Sequence, residues 1–301
     1  MVAAVVAATL FGEQPVSSRF TGTLFDISVE ISQPLSVFLN CVAIAGIYTI
    51  ITLTNNAYRL IKSSTWYFVT LFFIALSPFA PLLSTLQPAS LLGLTVVLTS
   101  ALLFSTLARP KGTFSIYTIF LLLATAALAV EETLYFIPLF YVGMIQMRCI
   151  NIKTVVASRL GRITPNWIMF GVDLASPAIP NIQLFEVGIS EILKSMPLPQ
   201  IAAAILTLTV GVAFLFTSIS RSMAHSTARR ARFGFLDLML LNTLILIIID
   251  AANISTYLTL YTLVWTFMAA HTFSVRTNSN HSIALIVIPV IFIAVSVWNY
   301  L

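Results

Sequence analysis

The sequence predicts an all-α fold: a polytopic transmembrane helix bundle of about ten full spans, with a short apolar segment at its start. Three observations predict it. The chain has 301 residues, of which 59% are hydrophobic and 8% charged. A typical soluble domain carries about 25% charged residues, so a fully water-solvated surface is excluded. Apolar runs of the length that crosses a bilayer as a helix follow one another, separated by short polar gaps. Thirteen of the fifteen lysines and arginines lie in five of those gaps, and eight of the ten acids lie in the others or before the first full run. Basic gaps thus alternate with neutral or acidic ones, the pattern of a chain threaded back and forth with its cations on the cytoplasmic side.

The first full run covers residues 35–53, and its polar exit carries Arg59 and Lys62. The second, 67–86, contains Pro78 and Pro81 and is expected to kink there. The third, 89–107, is followed by Arg109 and Lys111; the fourth, 115–130, closes on Glu131 and Glu132. The fifth, 134–147, leads into a stretch with Arg148, Lys153, Arg159 and Arg162, where Ile152, Val155, Val156, Leu160 and Ile163 fall near helical spacing. An interfacial helix is expected there. The sixth run, 165–180, is the shortest and holds Asp173; residues 182–196 read as an amphipathic helix on the outer surface. The seventh run, 198–218, precedes Arg221, Arg229, Arg230 and Arg232, and the eighth, 235–249, ends at Asp250. The ninth is 256–273, followed by Arg276, and the tenth is 283–298. With the basic gaps inside, the C-terminus and the segment before the first full span fall outside.

Residues 1–11 are apolar but too short to span, and no basic residue precedes them as a signal peptide requires. They are expected to be the outer half of a first span that starts upstream. Residues 12–34 then form an outer interfacial segment. Within it, Phe25, Ile27, Val29 and Ile31 alternate with polar residues as in a strand, while Phe20, Leu24, Ile27 and Ile31 fit one helix face. A lone strand leaves its edges unpaired, which favours the helix.

Candidate chemistry is sparse. Asp26 and Glu30, four apart, share a face if helical, and with Glu131, Glu132, Glu186 and Glu191 they would line an outer cleft. Acids in outer loops serve membrane glycosyltransferases with lipid-linked donors, binding a metal or activating a hydroxyl. Against this, acids collect outside simply because cations collect inside. Asp173 is the one acid well within a span, the usual mark of ion or proton coupling. Asp237 is expected to pair with the Arg232 cluster, and Asn40 and Asn242 to bond between helices. Trp66, Trp167, Tyr257 and Trp298 are expected in an interfacial aromatic belt. Cys41 and Cys149 form no disulfide framework. His225, His271 and His281 lack ligand spacing, so no metal or cofactor is expected. The net charge of +5 lies in loops beside spans, which argues for a lipid bilayer as partner and against nucleic acid.

Two further classes fit these residues less fully. The run LASPAIPNIQLFE resembles a late span of the antiporter-like subunits of NADH–quinone oxidoreductase, yet no span here contains the lysines those subunits need. A secondary transporter of two inverted five-helix halves is also open, though no internal repeat accompanies it. Read as a whole, the landmarks NNAYRL, ALSPFAP, ETLYFIPLFYVGMIQMRCIN, IKTVVASRLGRITPNWIMFG and RRARF resemble a family of uncharacterised polytopic inner-membrane proteins of Bacteroidota. That resemblance implies a bacterial cytoplasmic membrane, a possible membrane-protein partner and no transferable catalytic residue. The expected role is a non-catalytic envelope component, with the glycosyltransferase and the transporter as alternatives.

Overall fold

The computed structural model describes residues 19–22, 27–30, 32–61, 66–79, 86–107, 112–171, 196–221, 226–275 and 279–300. Ten α-helices occur among them: α1 (Gln33–Tyr58), α2 (Trp66–Leu76), α3 (Pro88–Ser105), α4 (Thr113–Ala127), α5 (Ile137–Gln146), α6 (Ile152–Gly171), α7 (Leu198–Arg221), α8 (Thr227–Ile249), α9 (Ile254–Val275) and α10 (Ser279–Tyr300). Prolines open several of them: Pro34 in α1, Pro88 in α3 and Pro138 in α5 each occupy the first turn, where a missing N–H costs nothing. Four helices, α1, α3, α7 and α8, are long and apolar enough to cross a membrane, and Tyr67–Leu76, Thr113–Ala127 and Ala284–Asn299 are shorter apolar stretches.

The helix α9 is the centre of the bundle. Nearly all of it from Thr256 to Thr272 is buried, and it packs against α2, α3, α7, α8 and α10. Its hydroxyls are turned inward onto its own backbone: Thr262 donates to the Leu258 carbonyl at 2.7 Å and Thr266 to that of Thr262 at 2.7 Å. Aromatic side chains fill the space around it. Trp265 stacks between Phe214 of α7 (6.0 Å) and Phe292 of α10 (5.9 Å), and Phe267 meets Phe68 of α2 edge-on at 5.9 Å. The Tyr261 hydroxyl donates to the Leu208 carbonyl of α7 at 3.1 Å, and a methyl group at Gly211 would strike the Tyr261 ring. The approach of α7 to α9 therefore depends on that glycine.

The outward faces are apolar too. Phe38, Leu53, Ile205, Phe216, Ile248, Ile286 and Val290 are all exposed. A soluble monomer rarely carries so extended an apolar exterior, whereas hydrocarbon solvates it. Between helices, polar contacts do the joining. Ser90 of α3 donates to Asn40 Oδ1 of α1 at 2.6 Å, as expected of an interhelical asparagine, and Ser36 accepts from the Leu86 N–H at 2.9 Å.

Further contacts join the helix ends. Arg229 bonds the Arg59 carbonyl, His271 the Leu60 carbonyl and Thr106 the Cys149 sulfur. Ser77 bonds Ser296, and Asn299 donates to the Pro78 carbonyl at 3.1 Å, joining the turn after α2 to the last turns of α10.

Four expectations are corrected. Residues 27–30 are not helical: β2 (Ile27–Glu30) pairs antiparallel with β1 (Arg19–Gly22), Arg19 opposite Glu30. The hairpin supplies the backbone partner whose absence argued against a strand. The second run is not one continuous helix: α2 ends at Leu76 and a turn follows at Ser77 and Pro78, since the residue before a proline avoids the helical region, and Pro81 lies outside the described residues. No boundary falls at Pro165, because α6 runs unbroken through it from Ile152 to Gly171. Finally, Tyr257 is not in an interfacial belt but 0% exposed, whereas Trp167 is 74% exposed.

The long α6 is held by a face of small residues, Thr154, Ala157, Ser158, Gly161 and Pro165, all buried. Gly161 lies directly on the α4 backbone, where an added methyl would strike the Tyr117 carbonyl. Tyr117 also donates to the Thr164 hydroxyl at 3.3 Å. Gly161→Ala must push α4 and α6 apart, at a cost of about 1–3 kcal/mol. Gly171→Ala has open space around it. Thermal unfolding of the purified protein in detergent is expected to show a lower midpoint for the first variant and little change for the second.

Candidate functional site

Three acids from two gaps of the sequence, Glu131 and Glu132 in one and Asp250 in the other, come within electrostatic reach of one another in the structure. The helix α8 stops at Ile249 and Asp250 leaves it with φ −119° and ψ 68°; a turn of 3-10 helix, Ala251–Asn253, then feeds α9. This tight reversal brings the first turn of α9 back over Asp250. Its carboxylate, 5% exposed, accepts from the Tyr257 hydroxyl at 2.7 Å and from Asn253 Nδ2 at 3.1 and 3.3 Å. Bonds to a charged acceptor are among the stronger ones, so Asp250 fixes the start of the central helix.

The other two acids come from the 3-10 helix Glu131–Phe136, which follows extended Val130. Glu131 and Glu132 are half-buried. Burial pushes the Glu132 carboxyl above the ordinary carboxylate range; a backbone hydrogen bond opposes the rise, and the charges of Asp250 and Glu131 add to it. Beside it the Thr133 hydroxyl is buried without a hydrogen-bond partner among the described residues. Asp250 is thus tied to donors, whereas Glu132 is half-buried and held above the ordinary carboxylate range. Among the described residues, no group of three or more histidine, cysteine, aspartate or glutamate side chains is placed to hold a metal ion.

The sequence-derived candidates are distributed differently. Glu30 ends β2, opposite Arg19. Asp26, Asp173, Glu186 and Glu191 lie outside the described residues, as does the amphipathic stretch 182–195. Asp237 does not pair with Arg232. Its carboxylate accepts from Ser218, with Oδ1 unpartnered, while the Arg232 guanidinium lies 4.1 Å from the centre of the Tyr58 ring. Five residues along a helix turn the second side chain well away from the first, which separates the two. Asn242 Nδ2 is buried without a partner among the described residues. Cys149 is buried and packs at the turn after α5, its thiol donating to the Met144 carbonyl at 3.4 Å.

Asp250, Asn253 and Tyr257 were missed as a group. The signal was present as a carboxylate followed at three and seven residues by an amide and a phenol, across a helix boundary. Comparison with family models, curated proteins and solved structures finds no match to the chain.

A carboxyl raised by folding binds its proton more tightly in the folded state, so its contribution to stability is full below the ordinary carboxylate range and is lost as pH rises through the raised value. Glu132→Gln removes that loss. The variant is expected to melt above the wild type at neutral pH, and the gap should close as the pH is brought below the ordinary carboxylate range. A constant gap across that range would show that the ionisation of Glu132 is not involved.

Proposed function

We propose that the chain is a multi-pass protein of a bacterial cytoplasmic membrane, with ten spans and its C-terminus outside, serving as a non-catalytic component of the cell envelope. The membrane reading is supported by the four long apolar helices and the apolar exterior. The orientation is supported by the segregation of lysine and arginine into alternate gaps. The structural role rests on one observation above the rest: Asp250, the most buried of the acids brought together, is occupied by Tyr257 and Asn253 in holding α9. A membrane-protein partner fits this role, and the resemblance to Bacteroidota inner-membrane proteins gives it its setting.

A second reading has one observation in its favour. The unlike carboxylates Glu132 and Asp250 are the kind of pair that a glycosyltransferase with a polyprenyl-linked donor would use at the outer face. Asp26 and Glu30 are the other acids to test for it.

The two readings part on envelope glycans. Under the structural reading, deletion of the gene leaves surface glycans unchanged, and the tagged protein purifies with a stable membrane partner. Loss of a glycan on deletion, restored by the wild type but not by Glu132→Gln, would establish the enzyme instead. Orientation is checked separately by single cysteines in a background with Cys41 and Cys149 replaced. A cysteine in place of Ala252, exposed in the turn before α9, is expected to react with an impermeant maleimide in intact cells. One in place of Ala228, exposed in the first turn of α8, is expected to react after permeabilisation alone.

A further inference from the structure

The exit of α1 and the entry of α8 enclose a cleft that the preceding reading leaves unused. It is lined by Asn55, Asn56, Arg59, Ile61 and Arg229, with a volume of about 560 Å³. Its walls are fixed by hydrogen bonds. The α1 helix closes on Arg59 in the left-handed conformation (φ 48°, ψ 48°), whose N–H donates to the Asn55 carbonyl at 2.7 Å. The Asn55 side chain accepts from the Ile61 N–H at 2.7 Å, tying the turn shut. Arg229, in the first turn of α8, donates from Nη2 to the Arg59 carbonyl at 2.9 Å.

That single bond leaves most of the Arg229 guanidinium's five N–H donors for other acceptors. Arg59 is exposed, and no carboxylate among the described residues forms an ion pair with either arginine. Arg59 is also a costly residue for its place. A left-handed helix terminus favours glycine or asparagine, and another L-residue there crowds its Cβ against the backbone. The N-terminus of α8, where Ser226 makes no side-chain cap bond, adds its positive end to the field. Two guanidinium groups and two side-chain amides at one cleft make a site for an oxyanion. Planar guanidinium groups match phosphate oxygens two at a time. The volume falls within the range of small-molecule sites and exceeds the needs of a bare ion.

We propose that this cleft binds the phosphoryl group of an organic phosphate ester, with Arg59 and Arg229 as the charged contacts and Asn55 and Asn56 as neutral donors. Such an ester is supplied by an anionic phospholipid headgroup or by a soluble phosphomonoester. The lipid source rests on the membrane reading above; the soluble one does not.

The test uses the full chain, purified in detergent, and native mass spectrometry with two probes: phosphatidylglycerol and glycerol 3-phosphate. Phosphatidylethanolamine serves as the comparison of no net charge. Arg59→Asn removes the charge while suiting the left-handed backbone and keeping the Arg229 bond to the main chain; Arg229→Gln removes the second charge. Arg159→Asn, at an exposed position of α6, controls for loss of charge in general. Thermal unfolding of each variant confirms that it folds. The wild type is expected to retain one of the two anionic probes over phosphatidylethanolamine, and either cleft variant to weaken that retention by about tenfold, as the loss of one charged hydrogen bond predicts. Retention of phosphatidylglycerol assigns the lipid source, and retention of glycerol 3-phosphate the soluble one. Equal retention by the wild type and both folded cleft variants, or an equal loss in Arg159→Asn, overturns the proposal.

Discussion

The enclosure of α9 is the constraint on which the bundle depends. A helix covered on every side has no water to satisfy polar side chains, so each must find a partner inside the protein or go without. Threonines answer this by bonding to their own backbone one turn earlier. Tyr261 answers it by reaching the α7 backbone, which fixes how far along α9 that helix sits. Tyr257 and His271 do so near the two ends, through Asp250 and the Leu60 carbonyl. The indole N–H of Trp265 is left buried and unpartnered among the described residues, held in place by stacking between two phenylalanines. Neighbouring helices are thus positioned by the needs of one polar-rich interior element. In a membrane this matters more than in water, because lipid gives apolar side chains little reason to prefer a neighbouring helix.

This constraint links the two ends of the molecule. At the start of α9 the bond to Tyr257 requires a buried acceptor, and Asp250 provides it. At its end His271 bonds Leu60, within the turn that places Arg59 and its neighbours. The Phe233 ring lies 4.2 Å from the His271 ring, so the first turns of α8 are gathered to the same point. Acid cluster and basic cleft are both attached to the most enclosed element of the fold, which is where a well-shaped polar site is most easily kept.

Much of the helical order was legible in the sequence because hydrocarbon and charge impose simple rules. The bounds of α1, α3, α7, α9 and α10 fall near those of the apolar runs, whereas α8 ends with its run but starts eight residues earlier and takes in Arg229, Arg230 and Arg232. What escaped has a physical reason in each case. Pro165 looked like a helix start, yet small residues on the buried face of α6 let it dock on α4 and carry the proline within the helix. Asp237 looked like a partner for Arg232, but helical geometry turns the two apart, and an aromatic ring took the cation. Tyr257 read as interfacial because it stands near the end of an apolar run. Its burial depends on the helices packed around α9, which local sequence does not contain. The hairpin at 19–30 needed a second strand to be recognised before the first made sense. The hydropathy of α9 is diluted by threonine, tyrosine and histidine, because an element shielded from lipid by other helices need not be uniformly apolar.

The acidic gaps were expected merely because cations are confined to the opposite side. Topology of that kind accounts for the side on which an acid lies, and for nothing more. It leaves carboxylates free to spread apart and stay hydrated, which is their lowest-energy state. Glu131, Glu132 and Asp250 do the opposite: they are drawn together with at least partial burial, and their mutual repulsion is felt at Glu132. Something must offset that cost. For Asp250 the compensation is visible in the Tyr257 and Asn253 bonds that fasten the central helix. Glu132 has no equivalent service among the described side chains beyond the hydrogen bond from its own backbone. Its burial beside a second carboxylate is therefore the part of the acidic end that packing and topology together leave unexplained, and it makes Glu132 the residue at which a structural envelope protein and an enzyme differ.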